Sequence, residues 1–485
     1  MSFDTLNYYI FFPLFFLVYW LFPFKWRIPL MLIGSYYFYA CVKPIYLVLI
    51  VFSTLVDYFC SKNIEKGKSK KKYLWISLIV NLSLLSIFKY LDFSITVLND
   101  VFSLLSFDYI IPLQKLEFPI GISFYTLQTL SYTIDVYRGD IPAEKNIFRF
   151  SLFVCFFPQL VAGPLERAGN LLPQFSQKRE FNYDRAVDGI LLIVWGLIKK
   201  TVVSDRLVLI IENIYKNEHH SYSGIHYALT GFMISAKFYG DFSGYSDMAV
   251  GSAKLLGYDL SKNFDFPFLS TSITKLWRRW HVSLSTWLHD YIYKLFPVSK
   301  ENPHDPIRYL AIFTVFAVSG LWHGPAWTFI FWGSMNGLFC ILYIGSRPIR
   351  YRLAEILGFR YIPRIFKIIM SIFLTNTFVG FSMIFFMSPN LRFAIDFVKR
   401  IYTEFVILNF NEFYSAYGYF QKDLVIAFVT ITLVELINLA KYNNYSFTEI
   451  RKWPTWVRWP AYVLALYTFI FLSYTEKSAF SYFYY

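Results

Sequence analysis

The chain has 485 residues, of which 56% are hydrophobic and 16% are charged, and its formal net charge is +14. Soluble domains carry ~25% charged residues, so this composition excludes an ordinary soluble protein. Repeated apolar runs of about 20 residues instead predict a polytopic, all-α integral membrane protein. The positive charge is concentrated in short loops, chiefly 62–72, 347–367 and 441–458, which argues against a nucleic-acid partner and indicates cytoplasmic loops.

The apolar runs predict roughly ten to twelve spans, some of which could be re-entrant or interfacial. In chain order they are 7–22, 28–42, 44–60, 73–91, 119–137, 148–165, 187–211, 225–240, 309–345 as two spans, 366–387, 423–440 and 457–474. The basic loops place both the N-terminus and the C-terminus outside the cytoplasm. No linker divides the chain, so we expect a single membrane domain over 1–485.

His323 is the most informative single residue, because it lies in Gly320–Trp327 inside an apolar segment. An ionisable side chain at membrane depth is costly and is by default a candidate functional group. Histidine also suits proton transfer near neutral pH. The alternative is a structural histidine held by a backbone carbonyl or by a hydrogen bond between helices.

Two further stretches place polar residues among apolar ones. The prolines and glycine of 157–167 predict a helix break, which either lines a cavity or ends a kinked helix at the cytoplasmic surface. The polar residues of 240–249 lie between apolar runs and face either a polar tunnel or a structural network between a helix and a loop. The candidate tunnel or network residues are Gln159, Asp241, Ser243, Tyr245 and Asp247.

A third stretch, 275–287, combines cations and tryptophans with His281. On a helix, Trp277 and Arg278 would share the face of His281. The cations either bind a phosphate-bearing ligand or lie at the membrane interface. The candidate ligand-binding residues are Lys275, Trp277, Arg278 and Arg279. No histidine pair has zinc-site spacing, so no metal is predicted.

Five motifs occur in one order along the chain: PIGISFYTLQTLSYTIDVYRG (119–139), FPQLVAGPLER (157–167), DFSGYSDMAVGSAKLLGY (241–258), NFDFPFLSTSITKLWRRWHVSLSTWLHDYIY (263–293) and SGLWHGPAWTFIFWGSMNG (319–337). With them the chain resembles the membrane-bound O-acyltransferase family, in its bacterial envelope branch of alginate, peptidoglycan and teichoic-acid acyltransferases. The resemblance implies a ring of helices around a central tunnel, in the bacterial cytoplasmic (inner) membrane.

The resemblance also implies an enzyme mechanism. The invariant histidine of the family falls on His323 and the second one on His281. The donor would be an acyl thioester from the cytoplasm, either acetyl-CoA or an acyl carrier protein, and no cofactor would be bound permanently. His323 would accept a proton from an acceptor hydroxyl, and His281 or backbone amides would stabilise the oxyanion.

The last six residues, 480–485, read Phe-Ser-Tyr-Phe-Tyr-Tyr. This F-x-x-F-x-Y pattern resembles an acyl-carrying tail of envelope acylation systems, in which Tyr485 would carry the acetyl group outside the membrane. The alternative is an aromatic anchor at the membrane interface.

The predicted function is therefore a membrane O-acetyltransferase that relays acetyl groups to an extracytoplasmic SGNH-type partner and an envelope polysaccharide. Peptidoglycan is the preferred acceptor, because a chain rich in Phe, Tyr, Ile, Lys and Asn indicates an AT-rich genome and disfavours alginate. The alternatives are alginate or another exopolysaccharide, D-alanyl transfer, acylation of a lipid or protein, and, in a different class, a membrane transporter.

Overall fold

The structure is a computed structural model that describes residues 1–67, 69–161, 163–216, 222–299, 301–302, 305–442 and 452–473. All regular secondary structure within these ranges is helical, and they contain no strand. The all-α prediction is therefore confirmed. The predicted tail 480–485, with Tyr485, lies outside the described residues.

The chain divides into two compact units. The first comprises Met1–Ile193 and Ser246–Ser261, and the second comprises Val194–Tyr245 with the described part of Lys262–Tyr485. The single membrane domain expected over 1–485 stays a prediction.

The first nine helices belong to the first unit. They are α1 (Leu6–Leu21), α2 (Phe24–Ala40), α3 (Tyr46–Glu65), α4 (Lys70–Leu85), α5 (Leu91–Leu104), α6 (Ile122–Arg138), α7 (Ile147–Cys155), α8 (Phe157–Leu160) and α9 (Ala168–Ser176). The predicted break within 157–167 is confirmed, because α8 is a single turn followed by irregular backbone. Pro158 in that turn is compatible with a helix start but not with a helix interior.

The later helices lie wholly or partly in the second unit. They are α10 (Tyr183–Leu197), α11 (Asp205–Lys216), α12 (Gly224–Leu255), α13 (Ile273–Arg279), α14 (Val282–Tyr291), α15 (Pro306–His323), α16 (Trp327–Gly345), α17 (Arg347–Ile356), α18 (Arg364–Met387), α19 (Leu391–Thr403), α20 (Phe410–Ser415), α21 (Gln421–Tyr442) and α22 (Thr455–Leu472). A π-helical segment, Ile198–Ser204, connects α10 to α11.

Six helical segments of the described residues are long and apolar enough to cross a membrane. They are Tyr46–Glu65, Lys70–Leu104, Trp327–Gly345, Arg364–Met387, Gly418–Ala440 and Thr455–Leu472. These segments make the chain a multi-pass membrane protein. The other predicted spans fall on helices that are shorter or more polar, such as α1, α2 and α6.

The run 309–345, predicted as two spans, forms the helical hairpin α15–α16, of which α16 is one of the six candidate spans. Glycines allow the two helices to meet at their backbones. A Cβ atom on Gly333 would lie 2.3 Å from the carbonyl oxygen of Phe316, and one on Gly320 would lie 2.3 Å from the carbonyl oxygen of Phe329. Small residues permit such close approach in membrane bundles, and here they fix the position of His323 at the end of α15.

The predicted span 225–240 is part of a longer helix, because α12 runs without a break from Gly224 to Leu255 and carries the polar residues of 240–249 within it. Its glycines serve close packing and not a turn. A Cβ atom on Gly240 would lie 2.8 Å from the carbonyl oxygen of Lys199, and one on Gly244 would lie 2.6 Å from that of Gly196. The helix can carry polar side chains here because it packs against the buried lysines of the π-helical segment.

Candidate active site

A cavity of about 240 Å³ in the second unit is lined by residues of α13, α14, α15 and α16. His281 and His323 both line it. The centres of their rings are 6.5 Å apart, so one small reacting group between them can contact both imidazoles. The structure thus brings together the two histidines that were singled out from the sequence.

His323 is the last residue of α15 and is 6% exposed. Its ring makes edge-to-face contacts with Trp332 and Phe386, whose ring centres are each 5.3 Å away. This packing fixes the orientation of the imidazole with little side-chain freedom. Such a fixed orientation is what a proton-transfer group requires.

His281 lies between α13 and α14 in a left-handed conformation, with φ +48°, and it is 3% exposed. A bulky residue rarely adopts this conformation, and where it persists the surroundings must impose it. Asn263 holds the turn through both its main chain and its side chain. Its carbonyl oxygen accepts from the backbone N–H of Val282 (2.8 Å), and its Oδ1 accepts from the hydroxyl of Ser283 (2.6 Å).

His281 lies outside the six candidate spans. Burial lowers the pKa of His281 to about 3, because desolvation disfavours the charged imidazolium. The imidazole is therefore neutral at pH 7. A neutral imidazole can donate one hydrogen bond and accept another.

Two tryptophans with buried indole N–H groups line the same cavity. Trp277 and Trp332 both line it, with ring centres 5.5 Å apart at nearly a right angle. Each Nε1 is buried, and no acceptor for either occurs among the described residues. A buried donor without an acceptor costs ~1–3 kcal/mol, and an oxygen of a bound substrate would remove that cost.

The predicted ligand-binding residues are only partly brought together. Trp277 and Arg278 line the cavity. Lys275 is exposed, and its Nζ donates to Thr271 Oγ1 at 3.1 Å. The guanidinium of Arg279 lies 5.3 Å from the centre of the Tyr442 ring, and neither Lys275 nor Arg279 is among the residues that line the cavity.

The prediction that one helix carries Trp277, Arg278 and His281 on a single face was wrong. Helix α13 ends at Arg279, and the backbone turns at His281 before α14 begins. The turn is fixed by contacts outside the local pattern, because the N–H of Asp265 donates to the carbonyl oxygen of Arg279 at 3.0 Å. The three side chains nevertheless reach one cavity, through this turn.

Asp241 and Ser243 belong to a buried charged network and do not line the histidine cavity. Asp241 pairs with Lys200 at 3.0 Å and lies 3.8 Å from the Nζ of Lys237. Ser243 Oγ accepts from Lys199 Nζ at 2.9 Å. Between these two polar residues, the ring of Phe242 packs edge-to-face against His281, with centres 4.6 Å apart.

The other predicted network residues have separate positions. Tyr245 is 1% exposed in the second unit. Asp247 and Gln159 belong to the first unit. The amide nitrogen of Gln159 donates to the carbonyl oxygen of Phe153 at 2.8 Å, beside the helix break.

The lysines of the charged network were not predicted from the sequence. Lys200 also pairs with Asp205 at 2.7 Å, and both side chains are 1% exposed. The signal was present, because Lys199 and Lys200 interrupt the apolar run 187–211 and a buried lysine calls for a partner. Trp332 was also missed, and it has no such signal in an apolar helix.

Comparison with known proteins identifies the class. The chain belongs to the membrane-bound O-acyltransferase family, whose profile matches residues 31–389. This range includes both histidines and the whole cavity lining.

Individual relatives come from several envelope systems. A probable alginate O-acetylase of Azotobacter vinelandii, AlgI, is 37% identical over 333 residues, which is 68% of this chain and 66% of that protein. A peptidoglycan O-acetyltransferase of Helicobacter pylori is 31% identical over 412 residues, 78% of this chain and 73% of that protein. A teichoic acid D-alanyltransferase of Bacillus subtilis is 27% identical over 232 residues, 46% of this chain and 58% of that protein. The match thus spans just under two thirds of the Azotobacter protein.

Proposed function

We propose that this protein is an O-acetyltransferase of the bacterial cytoplasmic membrane that takes acetyl groups from a cytoplasmic thioester donor, acetyl-CoA. The observation that carries the proposal is the pair of buried imidazoles, 6.5 Å apart in one cavity. A neutral histidine held in place in a cavity is suited to act as a general base. The relatives named above make acyl transfer to an envelope polymer the chemistry that such a base would serve.

His323 acts as the base. Its unprotonated ring nitrogen accepts the proton of the acceptor hydroxyl while the oxygen attacks the thioester carbonyl carbon. The tetrahedral intermediate then collapses, the carbon–sulfur bond breaks, and the protonated His323 returns the proton to the leaving thiolate. The products are an acetyl ester and free thiol, and no further reactant is needed.

The negative charge on the intermediate's oxygen requires fixed donors in a site with little water. The neutral His281 can supply one N–H. The indole N–H groups of Trp277 and Trp332, two residues that line the cavity, supply two more, which a small rotation of each ring would turn toward the bound oxygen. These three donors take the role that the sequence analysis gave to His281 or to backbone amides.

Two features support a small acyl group and a charged donor. The cavity has a volume of about 240 Å³, below the ~300–1,000 Å³ of sites for drug-sized ligands, and the thiol end of the donor must share it, which favours acetyl over a long acyl chain. Arg278 is exposed and also lines the cavity, so it is placed to meet a phosphate of the donor.

For the acceptor, the tail offers a relay. The phenol of Tyr485 accepts the acetyl group and presents it outside the membrane to an SGNH-type partner, which acetylates the polysaccharide. Peptidoglycan is the proposed final acceptor, in line with the Helicobacter relative. Alginate or another exopolysaccharide is the alternative that the Azotobacter relative favours. Both termini lie on the outer side in this proposal.

The test is mass spectrometry of the purified protein after incubation with acetyl-CoA, with wild type beside His323→Ala and Tyr485→Phe. We expect an acetyl group on the C-terminal peptide of the wild type and none in either variant. Acetyl on that peptide in His323→Ala would refute the base assignment. Consumption of acetyl-CoA without a labelled tail would refute the relay and leave direct transfer. If the wild type consumes no acetyl-CoA, the acetyltransferase proposal is wrong.

A further inference from the structure

A second cavity, of about 490 Å³, adjoins the histidine cavity. It is lined by residues of α16 and α17, among them Arg347 and Arg350. Ile344 lines both cavities. The charge of the basic loop 347–367 predicts a cytoplasmic position, and the second cavity is therefore predicted on the side from which a cytoplasmic donor would come.

The length of the histidine cavity can be measured along its helices. On α16, both Trp332 and Ile344 line it, and twelve residues at ~1.5 Å per residue span ~18 Å. On α15, the lining runs from Ile312 to His323, which is ~16 Å at the same rise. The histidines thus lie at one end of an elongated cavity, and the arginines lie beyond its other end.

Arg350 is preorganised at that far end. Its Nη1 donates to the carbonyl oxygen of Tyr343 and, at 2.6 Å, to the hydroxyl of Ser346. The guanidinium also lies over the ring of Tyr343, 3.9 Å from its centre. A guanidinium held in this way loses little freedom when it binds a planar or tetrahedral oxyanion, and it can do so with two parallel hydrogen bonds. Arg347 is exposed beside it in the same cavity.

We propose that Arg347 and Arg350 bind the phosphate of a 4′-phosphopantetheine arm whose thioester end reaches His323. The arm has about fourteen bonds from phosphorus to the thioester carbonyl carbon, and at ~3.5 Å per three chain bonds it extends ~16 Å. This length matches the ~16–18 Å over which the histidine cavity extends from His323 toward the arginines. The inference rests on the proposed function, since it names how the donor of that reaction is held.

The phosphopantetheine arm occurs both in coenzyme A and on acyl carrier proteins. The arginines recognise the group that these donors share. They would therefore not distinguish between the two sources, whereas a donor without the phosphate would lose their contribution entirely.

The experiment uses membranes that contain the full chain and measures the rate at which each donor releases free thiol. The rate measured with His323→Ala is subtracted as background. The donors are acetyl-CoA, an acetylated acyl carrier protein, S-acetyl-4′-phosphopantetheine and S-acetylpantetheine, which lacks the phosphate. The variants are Arg347→Gln, the double variant Arg347→Gln/Arg350→Gln, and the matched control Arg352→Gln, an exposed cation of the same helix.

The expected result is a KM for phosphate-bearing donors raised about 10- to 100-fold in the double variant, as for the loss of charge-assisted hydrogen bonds. Both kcat and KM for S-acetylpantetheine should stay at the wild-type values, which also shows that the variant is folded. Arg352→Gln should behave as wild type. Whichever of acetyl-CoA and the carrier protein shows turnover with an arginine-dependent KM is the source of the arm.

Three results would overturn the assignment. They are an unchanged KM for every donor, an equal loss for S-acetylpantetheine, and an equal effect of Arg352→Gln. These outcomes are distinct from a failure of the proposed function, in which the wild type releases no more thiol from any donor than His323→Ala does.

Discussion

Replacing Gly333 by alanine puts a methyl group against the backbone of the neighbouring helix. The added Cβ would lie 2.3 Å from the carbonyl oxygen of Phe316 and 2.9 Å from the Cα of Gly320. Non-bonded heavy atoms pack at ~3.5–4.0 Å. Because both obstacles are backbone atoms, no side-chain rotation can relieve the contact, and the helices α15 and α16 must separate by ~1 Å.

That separation acts on both stability and chemistry. Overpacking of a close contact costs ~1–3 kcal/mol. His323 ends the helix that is displaced, whereas His281 lies on the turn between α13 and α14. The distance between the imidazoles therefore changes, and a misplacement of ~1 Å at a reacting centre costs ~10²-fold in rate. We expect Gly333→Ala to lose ~10²-fold in kcat with a lowered Tm.

The assay is acetyl transfer from acetyl-CoA by detergent-purified protein, with thermal unfolding measured in the same preparation. Two glycines of the same helix give a graded series. A Cβ on Gly337 would lie 3.1 Å from the Cβ of Phe316, and one on Gly345 would lie 3.7 Å from the hydroxyl oxygen of Tyr309. Gly345→Ala should keep full activity and gain some stability from the helix propensity of alanine, and Gly337→Ala should fall between.

Full activity and an unchanged Tm in Gly333→Ala would show that the close approach of the two helices does not set the geometry of the site. Equal losses in Gly333→Ala and Gly345→Ala would mean that any side chain on this helix is harmful. Either result would refute the argument from backbone contact.

Three more predictions concern the buried polar groups. Trp332→Phe should lower kcat ~10²-fold or more, because one oxyanion donor is lost. The Tm should not fall, because the substitution removes a buried N–H that lacks an acceptor among the described residues. Steady-state kinetics tests the first effect and thermal unfolding tests the second. Desolvation lowers the pKa of His281 from 6.5 to about 3, so the unfolded chain takes up a proton between these pH values that the folded chain does not. The free energy of unfolding should therefore fall as pH drops through this window, by at most ~1.4 kcal/mol per pH unit. In His281→Asn, a substitution that tolerates the left-handed backbone, the Tm should depend less on pH between pH 7 and 4.5 than in the wild type. Lys200→Met should destabilise the protein by ~3–5 kcal/mol, because Asp205 and Asp241 lose the cation that they share, and a wild-type Tm would contradict this.

The hairpin and its histidine were predictable from local sequence. The run 309–345 is too long for one span, and Gly324 with Pro325 interrupts it, so two helices with His323 at their junction follow from length and backbone chemistry. His281 was predictable as a candidate but not in its conformation. Its left-handed turn depends on Asn263, whose contacts come from outside the helical pattern of 275–287.

The continuity of α12 could not be predicted from its own residues. Asp241 and Ser243 look like an interruption of an apolar helix until Lys199 and Lys200 supply their partners from a distant part of the chain. Trp332 presents the opposite difficulty, because an apolar tryptophan in an apolar helix carries no sign that it lines a cavity. Both features arise from packing between elements that are distant in the chain, and local sequence patterns contain no information about such packing.

The charged network has a consequence for how the protein is made. Each lysine at the centre of an inserting helix opposes entry into the bilayer by ~2.5–3.5 kcal/mol, so in the predicted span 187–211 Lys199 and Lys200 together oppose it by ~5–7 kcal/mol. Lys237 and Asp241 are synthesised only afterwards, with α12. Within its own stretch of chain the π-helical segment has one carboxylate, Asp205, for its two lysines, and the second carboxylate, Asp241, becomes available only with α12. Membrane insertion of this region is then a concerted event, in which two successive segments of the nascent chain enter the lipid together.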